Sequence, residues 1–174
     1  MTTNVTSIND VDIEAVAALA GAITEDADKA QTTWKSEVRW TGGFRSEATV
    51  RDFAPVPSDE PPGLGGTDVA ANPVEQLLGA LGNCLAVGYA ANATASGIEL
   101  EDLKIQLEGD LDLHTFLGLN PEGNAGFDTI RASVHLDAPK ATDEEIADLH
   151  ERVTATSPVG HTLSRPVPIA IDLA

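Results

Sequence analysis

The stretch Asn72-Pro-Val-Glu-Gln-Leu-Leu-Gly-Ala-Leu-Gly-Asn-Cys-Leu-Ala86 constrains this chain more than any other. Its start is well specified. Asn72 suits the N-cap, Pro73 the first helical position, and Glu75 the third, where its carboxylate can bond back to the cap. The helix is predicted to run to about Ser96, with Gly97 ending it. Its interior carries Gly79, Ala80, Gly82, Gly88, Ala90 and Ala91, and small residues at this density weaken intrinsic helix propensity. They make sense where another helix or strand approaches closely, so this segment is expected to be a buried central helix. The chain's one cysteine, Cys84, lies within it.

Other patterns extend the reading in both directions. Ile13, Val16, Ala17, Ala20 and Ile23 recur at helical spacing and predict an amphipathic helix from Val11 to about Lys29, after a polar, frayed first ten residues. Trp34–Trp40 and Phe44–Phe53 read as strands joined by a turn at Thr41-Gly42-Gly43. Pro55 to Gly66, rich in Pro and Gly, reads as a loop. Leu103, Ile105 and Leu107 alternate with polar residues, as do Ile130, Ala132, Val134 and Leu136, and each set predicts a strand. Between them, Thr115 to Gly126 reads as a loop. Thr142 and Glu145 form a second capping box, ahead of a helix with Ile146, Leu149 and Val153 on one face. Val167, Ile169 and Ile171 predict a last strand. The order is helix, two strands, helix, two strands, helix, strand, which is an α+β domain with a mostly antiparallel sheet.

At 174 residues one domain is the simplest expectation. A formal net charge of −18 repels nucleic acid and anionic membranes, so neither is expected as a partner. An acidic, lysine-poor surface suits a salty cytoplasm, which points to a halophilic source. No secretory leader and no membrane-length apolar run is recognised, so the expected location is cytoplasmic.

Few residues offer chemistry. A thiolate, not a thiol, attacks peroxides, so a reactive Cys84 would need a cation within a few ångströms. Spacing alone favours the reading of an inert core residue, since free cysteine is among the most buried residue types. His114, His135, His150 and His161 share no metal-ligand spacing, and no metal or cofactor is expected. Neither phosphate-cradling nor dinucleotide glycine patterns occur, and Ser157 and Ser164 lie in no nucleophile elbow.

Several motifs taken together resemble the OsmC/Ohr superfamily, the osmotically inducible and organic hydroperoxide resistance proteins. They are Trp40-Thr-Gly-Gly43, Leu64-Gly-Gly-Thr-Asp68, Asn72-Pro73 with Cys84 in the same helical run, and Gly97-Ile-Glu-Leu-Glu-Asp-Leu103. Gly118, Gly126-Phe127, Ser157-Pro158-Val159 and Pro166-Val-Pro-Ile169 complete the set. The likeness spans roughly residue 34 to the end. It divides the chain into an extension, 1–33, and an OsmC-like domain, 34–174. It implies an intertwined homodimer with central helices inside and active sites at the subunit interface. In peroxidase members an arginine and a glutamate hold a reactive cysteine as thiolate, and a second cysteine then forms a disulfide with it.

Carried over by position, Cys84 falls on the attacking cysteine, and Arg45 is the first candidate for the arginine, with Arg51 second. Val74 stands where the family has its glutamate. Glu75 lies one step along and, at ~100° per residue, on the helix face opposite Cys84. Asp59 and Glu60, in the preceding loop, are candidates to bring a carboxylate to Arg45. Ser157 stands where the second cysteine is expected, which removes the internal disulfide. Two functions follow. One is a one-cysteine, thiol-dependent organic hydroperoxide reductase of oxidative-stress defence, acting through Cys84, Arg45, Glu60 and Ser157 and restored by an external thiol. The other is a non-catalytic protein holding a small apolar ligand in a pocket of Leu77, Leu81, Cys84 and Gly88.

Overall fold

The computed structural model describes residues 8–173. They divide into two compact units. One is Glu14–Leu77, and the other joins residues 8–13 to residues 78–173.

The first unit opens with α1 (Ile13–Glu25), shorter than the predicted span to Lys29. Asp26 intervenes. Its carboxylate accepts the N–H of Asp28 and starts a separate 3-10 turn, Ala27–Ala30. Strands β1 (Glu37–Gly42), β2 (Arg45–Thr49) and β3 (Val56–Ser58) follow as an antiparallel sheet in that order. β1 starts later than Trp34, and β2 ends before Phe53 because Arg51 turns the backbone at φ +50°. β3 falls inside the segment read as loop. Pro57 at its centre argues against a strand, but β3 is an edge, so the missing N–H costs no ladder bond.

Helix α2 (Pro73–Ala95) supplies its first turn to this unit and the remainder to the second. The expected capping box is formed. Asn72 Oδ1 accepts from Glu75 N (2.9 Å), and Glu75 Oε2 accepts from Asn72 N (2.8 Å). Gly97, at φ +73°, ends the helix as Ile98 N bonds back to Ala93 O.

In the second unit β4 (Asp102–Leu111) pairs antiparallel with β5 (Phe127–Asp137), across a connection that holds the one-turn helix α3 (Leu113–Phe116). Helix α4 (Asp143–Thr156) carries the Thr142/Glu145 box. Leu81, Leu85, Tyr89 and Ala93 recur every four residues on α2. They meet Leu149 and Val153 of α4 and the inward residues of β4 and β5 in one apolar core. The small residues of α2 answer close approach. A Cβ on Gly88 would stand 3.0 Å from Val153 Cγ1, and one on Gly82 would stand 2.8 Å from Leu107 Cδ1.

Further segments depart from expectation near the two ends of the chain. Helix α5 (Pro158–Ser164) is an element that the periodicity does not predict. Conversely, Val167, Ile169 and Ile171 form no strand, and Ile171 is 90% exposed. A strand exists through its partner, and among the described residues none pairs with this segment. Of the first ten residues, 1–7 lie outside the described structure. Ile8–Asp10 is not frayed, because Asn9 bonds Thr94 Oγ1, Ile98 O and Leu100 N.

Candidate functional site

Cys84 sits on α2 beside the core-facing stripe and is half-buried. Its sulfur lies 3.3 Å from the hydroxyl oxygen of Ser157. Local chemistry puts Ser157 there. Pro158 has no N–H and disfavours helical backbone in the residue before it, so α4 stops and Ser157 is extended (φ −68°, ψ 114°). Ser157 then caps α5, its Oγ accepting from Gly160 N at 3.1 Å. One lone pair is thereby engaged, and the hydroxyl proton is free to point at the sulfur. The serine is buried, whereas Cys84 is half-exposed to the cleft it lines.

Cys84 and Ser157 line one cleft of about 350 Å³ with Val87, Gly88, Val153 and Pro158. The walls are mostly apolar. Of the residues expected around a ligand pocket, Cys84 and Gly88 line this cleft, whereas Leu81 is committed to the core and Leu77 is partly exposed.

Arg45 and Glu60 belong to the first unit. Arg45 is exposed, and among the described residues it makes no salt bridge. Its Nη1 donates to Thr67 Oγ1 at 3.5 Å. The carboxylate of Glu60 accepts from Asn72 Nδ2 (3.3 Å), not from Arg45. Arg51 lays its guanidinium over the Phe53 ring, 4.6 Å from the centroid. Glu75 is occupied by its capping box.

Asp59 is the buried carboxylate of this unit, 1% exposed. It accepts from Thr67 Oγ1 (2.6 Å) and from the backbone N–H of Glu60, Thr67 and Val69 (2.8, 3.0 and 3.3 Å). The Thr67 hydroxyl has the largest influence on the carboxyl. Burial works against it and the backbone N–H groups add to it, leaving the pKa at about 2. Thr67 is absent from the site residues that the sequence points to. Its signal was the Leu64-Gly-Gly-Thr-Asp68 motif.

The histidines have separate partners. His114 bonds Asp112 and His135 bonds Gln106. His150 Nδ1 meets the hydroxyl of buried Tyr89, whose pKa burial raises. Among the described residues no group of three or more His, Cys, Asp or Glu side chains is placed to hold a metal ion. No helix among them is long and apolar enough to cross a membrane.

Residues 65–172 match the family model described as OsmC-like protein. The chain belongs to the OsmC-like family. Solved structures of similar fold agree. An OsmC-like protein from Mycoplasma pneumoniae is 19% identical, with a TM-score of 0.65 over 77% of this chain and 89% of that one. An organic hydroperoxide resistance protein OsmC from Legionella pneumophila is 19% identical, with a TM-score of 0.56 over 76% and 91%. An organic hydroperoxide resistance protein from Elizabethkingia anophelis, with thiocyanate bound, is 20% identical, with a TM-score of 0.55 over 75% and 89%. At these identities the likeness establishes the α+β OsmC-like fold with its antiparallel sheets. No curated protein matches the chain.

Proposed function

We propose that this protein is a one-cysteine, thiol-dependent organic hydroperoxide reductase acting through Cys84. The observation that carries the reading is the half-buried thiol in an apolar cleft, 3.3 Å from a buried hydroxyl whose proton can turn toward it. The Cys84 thiolate attacks one peroxide oxygen. An S–O bond forms, the O–O bond breaks, and the alkoxide takes a proton to leave as an alcohol. Cys84 is left as a sulfenic acid, with Ser157 donating to the thiolate before the step and to the new oxygen after it. Arg45 is assigned as the cation that favours the charged forms, and the family resemblance supports that assignment. Glu60, engaged with Asn72, is left as a supporting loop acid.

Ser157 cannot form a disulfide, so an external thiol resolves the sulfenic acid. The thiol condenses with it to a mixed disulfide, releasing water, and a second thiol returns Cys84 as thiol while the reductant leaves as its disulfide. The apolar walls suit an alkyl hydroperoxide better than a small polar one. Residues 34–174 act as the OsmC-like domain, with 1–33 as an extension. A homodimer is the working assembly, supported by uncovered apolar side chains on β1, where Val38 and Trp40 are 65% and 72% exposed.

The test is turnover of tert-butyl hydroperoxide with a dithiol reductant. Cys84→Ala should abolish consumption while leaving the secondary structure unchanged, and equal turnover by wild type and variant would refute the reading. In that case the cleft is left as a binding site for a small apolar ligand.

A further inference from the structure

The loop from Asp59 to Val69 closes on a single carboxylate, and the closure continues to Arg45. Gly65 takes the left-handed backbone (φ +89°), and the place of a Cβ on Gly66 is already taken, 1.7 Å from the Glu60 carbonyl oxygen. The chain thus doubles back, and Thr67 meets Asp59. Phe44, one residue before Arg45, lies against Gly65, 3.1 Å from where a Cβ would be. The start of β2 and the loop are therefore held together by an aromatic contact and by the Arg45–Thr67 hydrogen bond.

We infer that Thr67, anchored by Asp59, is a positioning residue that fixes the guanidinium of Arg45 for the reaction. The hydroxyl of Thr67 has one proton and two lone pairs. The proton goes to Asp59 Oδ2 at 2.6 Å, and a lone pair accepts from Arg45 Nη1 at 3.5 Å. Donation to a carboxylate makes that oxygen a better acceptor, so the two bonds reinforce each other. The buried carboxylate thereby steadies the cation through an intermediary, without a salt bridge that would hold the guanidinium on its own oxygens. That matters where Val74 has replaced the carboxylate expected in the family. An arginine on a hydroxyl keeps its remaining donors for a thiolate or a peroxide oxygen. Asp59 itself stays saturated by its three backbone N–H bonds and Thr67.

The inference rests on the peroxidase reading for its consequence, but the positioning can be read separately. Thr67→Val removes the hydroxyl at similar volume and leaves Asp59 its backbone clamp, and Thr67→Ser keeps the hydroxyl. Heteronuclear NMR of the arginine guanidinium groups should show hindered rotation for Arg45 in the wild type, averaged rotation in Thr67→Val, and hindered rotation again in Thr67→Ser. Oxidation of Cys84 by stoichiometric tert-butyl hydroperoxide should slow about tenfold in Thr67→Val and recover in Thr67→Ser. The double variant Thr67→Val/Arg45→Ala should be no slower than Arg45→Ala alone. An Arg45 signal insensitive to Thr67→Val would overturn the positioning. So would a Thr67→Val penalty that persists undiminished without Arg45. Wild-type Cys84 that resists oxidation while Arg45 responds to Thr67 would sink the peroxidase reading and leave the anchor standing.

Discussion

The two units of the chain are buried by opposite means. In residues 78–173 the interior is apolar, with Leu85, Tyr89, Leu149 and Val153 packed between α2, α4 and the β4–β5 sheet. In Glu14–Leu77 the buried side chains are Ser58 and Asp59, and no large apolar side chain among its described residues is buried. One unit is held by water exclusion, and the other by hydrogen bonds that close a loop on a carboxylate. A three-stranded sheet with an open apolar face is not expected to be independently stable in water. The first unit is therefore the one that the proposed partner copy would have to cover, while the second carries its own core. The cysteine and serine belong to the self-sufficient unit, and the arginine belongs to the dependent one.

The largest expected effect breaks the apolar side of this contrast. Leu149→Ala removes a fully buried side chain and should cost about 2–5 kcal/mol in chemical denaturation. A loss no larger than that of an exposed-site change would mean the core is not where the second unit's stability resides. Next is the uncovered face. Val38→Glu adds charge to an exposed strand position, so the isolated chain should lose no more than about 0.5 kcal/mol. Sedimentation should nevertheless show the dimer dissociating, and an unaltered dimer would mean that β1 faces solvent in the assembly.

The smallest effect concerns the polar side. The carboxyl of Asp59 sits at about 2 in the folded chain, below its ordinary 3.8. A depressed folded value gives a contribution that is full above about 3.8 and lost as pH falls through about 2. Hydrogen exchange should therefore show the amides of Thr67 and Val69 losing protection over that acid range. Asp59→Asn should show them already weakened at neutral pH, with the α4 amides unaffected. Acid sensitivity identical in the variant would remove Asp59 as the cause.

What was readable from sequence follows the same division. The capping boxes at Asn72 and Thr142 and the alternation in β4 and β5 were legible because local chemistry and burial agree there. The small residues of α2 announced close neighbours without saying which. In the first unit the signals conflict. Pro57 disguises β3, and the exposed apolar residues of β1 say nothing about what covers them. Ser157-Pro158 is an N-cap followed by proline, a helix-start signal masked by the helix that directly precedes it. The tail Val167–Ile171 has a strand's pattern, but a strand needs a partner that pattern alone cannot supply. At the site, the Cys84–Ser157 pairing followed from the family positions, while Thr67 was visible only as part of a glycine motif.

The central claim is that Cys84 is a live thiol in a cleft built by the second unit. The most direct test adds one equivalent of tert-butyl hydroperoxide to the purified, reduced protein at neutral pH, traps with dimedone, and reads the intact mass and the modified residue. The account predicts rapid, saturable dimedone labelling at Cys84, weakened by Ser157→Ala. An unmodified Cys84 in the folded wild-type protein would contradict it.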